Sequence, residues 1–162
     1  MERKPVIHRM TKKKLSEFDQ AQAVGWVLER AIQIENRIND ILFTFFNPAQ
    51  KQIFISHVLN SSVISYGGKL KVLHKIISYE KEERKLYNDL QRIGSIRNSF
   101  AHTNFSYVVN ISFDPQKGTT TRNDQVINVM NLNGKIDSKN PYEFLLEYLD
   151  LLKNVESKLQ KI

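Results

Sequence analysis

The chain has 162 residues, enough for one domain around one core, and its 41% apolar and 25% charged residues are ordinary for a globular protein. It contains no cysteine, which excludes disulfides, thiol nucleophiles and Cys-based zinc or iron–sulfur sites. The net charge is +7, of which residues 1–14 carry +5 (Arg3, Lys4, Arg9, Lys12, Lys13 and Lys14 against Glu2), so the basicity sits in a leading arm and the body is nearly neutral.

Such an arm is either a solvated tail or a sequence-blind phosphate contact, because clustered Lys and Arg release counterions from nucleic acid. No apolar run follows the charged N-terminus, as a secretory signal requires. No stretch approaches the roughly 18 apolar residues of a membrane span. A cytoplasmic protein without a membrane partner is expected. Residues 15–162 read as a single domain behind the 1–14 arm.

Apolar residues at helical spacing (Val24, Leu28, Ala31, Ile38, Leu42 and Phe45) predict a long first helix over about 15–46. Asn47-Pro48 ends it and is suited to open the next, with Asn as cap and Pro in the first turn. That helix spans about 49–59 and carries Ile53, Phe54 and Val58. Residues 61–68 read as a loop. Leu70, Leu73, Ile76 and Ile77 form a short amphipathic helix, and Leu86, Leu90, Ile93, Ile96 and Phe100 a longer one over about 81–101.

The period then shortens to two. Tyr107, Val109, Ile111 and Phe113 alternate with polar residues, which predicts a strand. Asp114 to Asp124 read as a long polar turn, Val126 to Leu132 as the returning strand, and Asn133-Gly134 as its close. Asn140-Pro141-Tyr142-Glu143 has the form of a helix start with a capping-box-like Glu. Leu145, Leu149, Leu152, Val155 and Leu159 give that last helix its apolar face. The expected fold is mainly α: a bundle of about five helices with a two-stranded hairpin, at about 106–132, inserted before the last helix. A two-stranded hairpin is marginal alone and must lean on the bundle or on a partner chain.

Two charges fall where charges are costly. At roughly 100° per residue, Glu35 lies within the apolar arc of the first helix, near Leu28, Ala31, Ile38 and Leu42. Arg97 lies on the line of Leu86, Leu90, Ile93 and Phe100. Buried ions need partners, so Glu35 and Arg97 are expected to pair. They would do so either as a structural lock on helix register or as the wall of a cleft, unless a side chain reaches solvent at the edge of its stripe. His102 sits where the helix frays into Thr103-Asn104. There it either complements the helix dipole or converges with Arg97 and Asn98 on one cleft.

The string Arg97-Asn98-Ser99-Phe100-Ala101-His102, ending an amphipathic helix of a small bundle, resembles the Arg-x4–6-His signature of the HEPN superfamily. The longer string from Ile96 to His102, with Lys69-Leu70-Lys71-Val72-Leu73 on a preceding helix, is similar to the mannitol-operon-repressor-like branch of such domains. Residues 69–102 carry the resemblance. It implies one of two functions. Many HEPN domains are metal-independent ribonucleases, often toxins or phage-defence effectors, that work as dimers joining two Arg/His motifs. Others are non-catalytic transcriptional regulators or protein-interaction modules. On the first reading Arg97 and His102 are catalytic, Asn98 and Glu35 supporting, and no cofactor or metal is needed. The partners are a second copy of the chain, RNA, or a protein such as an antitoxin. The residue chemistry agrees: a histidine near neutrality moves protons, and an arginine clamps phosphoryl oxygens.

Other chemistries lack their patterns. His8, His57, His74 and His102 show no metal-ligand spacing such as His-Glu-x-x-His, and Gly67-Gly68-Lys69 is not a phosphate loop. No Gly-x-Ser-x-Gly elbow is present. Trp26 and the helical Phe residues read as core rather than as a base-stacking platform.

Overall fold

Thr11 and Asp19 decide where the chain first becomes helical. The structure, a computed structural model, describes residues 10–77, 81–102, 105–116, 118–130 and 136–162. Helix α1 is Lys12–Ser16, capped by the Thr11 side chain, and α2 is Gln20–Phe46. The single helix expected over 15–46 is therefore two. Asp19 Oδ1 accepts from the Gln22 amide at 2.8 Å, and Gln22 Oε1 accepts from the Asp19 amide at 3.1 Å. This capping box restarts the helix. Residues 12–14 of the expected basic arm belong to α1, which packs on the last helix and carries the buried Leu15. Residues 1–9 lie outside the described residues.

Asn47 closes α2 rather than opening the next helix. It adopts a left-handed conformation, φ 40°, and its amide donates to the Phe43 carbonyl at 2.9 Å, a role that Asn tolerates. One short turn, α3 (Lys51–Ile53), runs into a π-turn at Phe54–Val58. Helix α4, Tyr66–Ile77, starts earlier than the expected loop allowed and takes in Gly67 and Gly68. Ser65 makes this start possible by accepting from the Gly68 amide at 3.2 Å. Helix α5 is Lys81–His102, as its periodicity predicts, and α6 is Pro141–Leu159. Asn140 caps α6 by accepting from the amides of Tyr142 and Glu143.

Helices α2, α4, α5 and α6 form the bundle, and α5 touches the other three. Val27, Ile38, Leu73, Ile93, Ile96, Tyr148 and Val155 are among its buried side chains. Each Tyr148-sized group buried in such a core contributes on the order of 2 kcal/mol of hydrophobic stabilisation. Tyr148 keeps its hydroxyl satisfied by donating to the Val27 carbonyl at 3.0 Å, and Trp26 packs edge-on against its ring. Between α5 and α6, Arg92 grips Glu147 with two hydrogen bonds, at 2.6 and 2.9 Å. Among the described residues no helix is long and apolar enough to cross a membrane.

The expected hairpin is larger than two strands. Strands β1 (Phe105–Asp114), β2 (Gly118–Met130) and β3 (Ile136–Lys139) form an antiparallel sheet in the order β1-β2-β3. The polar run Thr119 to Asp124, expected as turn, is strand, paired from Phe113↔Thr119 to Val108↔Asp124. Backbone pairing does not require apolar side chains when that part of the sheet faces water. The close expected at Asn133-Gly134 lies outside the described residues. Ile127, fully buried, and Phe105, edge-on against Phe100, anchor the base of the sheet in the bundle. Beyond that base, Tyr107, Val109, Ile111 and Phe113 share one face of β1 and are all exposed, Phe113 at 74%.

Candidate functional site

The late turns of α5 lie beside α2 and the start of α4, and a cleft of about 760 Å³ opens there. Glu35 lines it from α2, Ser61, Ser65 and Tyr66 from α4 and the segment before it, and Arg97, Asn98 and His102 from α5. All four residues singled out by sequence thus meet at one cavity. Its volume lies in the range of small-ligand pockets.

The close packing of α4 on α5 shapes this cleft. Tyr66 lies against Gly94: a Cβ on Gly94 would come within 2.8 Å of the Tyr66 ring. A mid-helix glycine costs helix stability, and the room it leaves for Tyr66 accounts for it here. The Tyr66 hydroxyl donates to the Leu90 carbonyl at 3.0 Å. Burial pushes its ionisation well above the ordinary tyrosine range, with smaller contributions from Tyr148 and Glu35 and an opposing one from Arg97.

The expected Glu35–Arg97 pair does not form. Glu35 Oε1 instead accepts from Lys69 Nζ at 2.5 Å and from Ser61 Oγ at 3.2 Å. Lys69 is 1% exposed and Glu35 21%. The buried cation is therefore on α4, where Lys69 shares the inward stripe of Val72, Leu73 and Ile76. That spacing, which the apolar pattern of α4 carries, is the sequence signal for its burial. Arg97 is exposed, having reached solvent at the edge of its stripe. Its Nη1 donates to Asn98 Oδ1 at 2.9 Å, which holds the guanidinium beside the cleft.

His102 is exposed at the last turn of α5. Among the described residues it makes no hydrogen bond, and no three His, Asp or Glu side chains cluster as metal ligands would. The cleft thus has a cationic, titratable end on α5 and an anionic, hydroxyl-bearing end on α2 and the segment before α4. Such a surface can hold a ligand that carries a phosphate at one end and hydrogen-bond donors at the other. No protein-family model, curated protein or solved structure matches the chain.

Proposed function

We propose that this is a HEPN-like domain that acts on RNA as a homodimer and cleaves it without a metal. The observation that carries this reading is the convergence of Arg97, Asn98, His102 and Glu35 on one cleft. In the cleavage step the ribose 2′-oxygen attacks the adjacent phosphorus, the new P–O2′ bond forms and the P–O5′ bond breaks. A histidine takes the 2′ proton and another supplies a proton to the leaving 5′-oxygen. Arg97 stabilises the charge on the phosphorane, oriented by Asn98. One chain offers one such histidine, and a symmetric dimer offers two.

A non-catalytic reading of the repressor-like kind has its own support. Among the described residues His102 has no hydrogen-bonding neighbour to fix its tautomer, as a catalytic histidine usually has. In that case the cleft holds a phosphate-bearing partner without cutting it.

An RNA cleavage assay in EDTA separates the two. Wild type is expected to cleave and to leave 2′,3′-cyclic phosphate ends, and His102→Ala to be inactive yet folded. A broad pool of structured and single-stranded RNA left intact by wild type would favour the non-catalytic module. Activity unchanged in His102→Ala would remove this site from the reaction.

A further inference from the structure

The phosphate chemistry above uses the α5 end of the cleft and leaves Glu35 unexplained. Its carboxylate lines the cavity, yet both its contacts, Lys69 and Ser61, fall on Oε1. Among the described residues Oε2 accepts no hydrogen bond. Lys69 itself is buried, so its ammonium faces the protein and pins the carboxylate instead of offering itself to a ligand. Ser61 donates to Glu35, which leaves its hydroxyl oxygen free to accept. This end of the cleft therefore presents acceptors.

We propose that Glu35, held by Lys69 and Ser61, is a base-recognition subsite that selects guanine in an RNA strand whose phosphate lies at Arg97 and His102. The inference rests on the RNA reading given above. A carboxylate paired with an ammonium accepts hydrogen bonds and does not donate. Guanine has two neighbouring donors on one edge, N1–H and the N2 amino group. Adenine and cytosine set one amino group beside an acceptor nitrogen, and uracil flanks one N–H with two carbonyls. The Glu35 carboxylate therefore matches guanine and meets the other bases with at least one repelling lone pair. Sites built around such hydrogen bonds reject analogues that lack the donors far more strongly than apolar pockets do. Unpaired RNA bases are read on this edge. The cleft has room for a whole nucleotide, and Ile32, exposed on its lining, supplies apolar surface for the face of a base.

Calorimetric titration of the full chain with 3′-GMP, 3′-AMP, 3′-CMP, 3′-UMP and inorganic phosphate tests this. Wild type is expected to bind 3′-GMP at least tenfold more tightly than the other three. The double variant Glu35→Gln/Lys69→Met removes both charges together, so that neither is stranded. It should bind all four nucleotides alike. Equal affinities in wild type, or a guanine preference that survives in the folded double variant, would overturn the subsite and leave the phosphate reading standing. Binding of none of the five probes would overturn both. If the double variant does not fold, the wild-type selectivity alone decides.

Discussion

The burial expected of Arg97 falls instead to another basic residue, Lys69. Lys69 is enclosed and neutralised by Glu35, whereas Arg97 is exposed and, among the described residues, held by Asn98. Their removal should therefore have opposite consequences. Lys69→Ala leaves a partly buried carboxylate without its cation and should cost roughly 3 kcal/mol in urea-induced unfolding. Arg97→Ala should change stability by less than about 0.5 kcal/mol while abolishing cleavage. A large loss of stability in Arg97→Ala would mean that the arginine is structural after all. The two buried tyrosines make a separate prediction. Tyr66 and Tyr148 are both held protonated by desolvation beyond the range of an exposed tyrosine. Above about pH 10 the unfolded chain loses these protons and the folded chain keeps them, so the unfolded state binds fewer and stability falls as pH rises. Melting temperature should decline through this alkaline range, and less steeply in Tyr148→Phe. An equal slope in the variant would refute the assignment.

Gly94 shows how packing overrides the intrinsic propensity of an element, and Gly25, with nothing packed against it, is the contrast. Both are interior to helices, where glycine costs about 1 kcal/mol relative to alanine. A Cβ at Gly25 meets nothing within 4 Å, but one at Gly94 strikes the Tyr66 ring. Gly25→Ala should raise stability by up to about 1 kcal/mol. Gly94→Ala should lower it by roughly 1–3 kcal/mol, as overpacking does, and should also weaken ligand binding because Tyr66 lines the cleft. Thermal melts of the two variants side by side check this; stabilisation by Gly94→Ala would show that Tyr66 moves aside freely. Helix α2 gives the opposite case. Its start is set by local chemistry, the Asp19–Gln22 box, and that box was readable in the sequence. The continuous apolar stripe from Leu15 onward masked it.

For the whole molecule, the sheet is the feature that a lone chain leaves incomplete. Strand β1 is an edge of ten residues whose Tyr107, Val109, Ile111 and Phe113 face water. Long apolar edges of this kind are templates for pairing. Joined to the need for two histidines in the proposed reaction, this makes a second copy of the chain the expected occupant. Sedimentation equilibrium should show a dimer, and Ile111→Lys/Phe113→Lys should give a folded monomer without cleavage activity. A wild-type monomer at high micromolar concentration would defeat the dimer-dependent mechanism.

The sequence by itself determined the main helices, the strand at Tyr107–Phe113, the position of the Arg97–His102 string at a helix end, and the anomaly of Glu35. Each depends on a period or a spacing within one element, and periodicity is a local property. Tertiary structure decided what faces what. A helical wheel gives the direction of a side chain about its own axis but not which neighbouring helix stands there. Lys69 and Arg97 were therefore both open to Glu35 until α4 and α5 were packed. The same limit explains β2: Thr119 to Asp124 carry no apolar signal, and only the backbone of β1 alongside makes them strand. The cleft, too, exists only through packing, because Glu35, Tyr66 and His102 lie on three different helices that meet at one place.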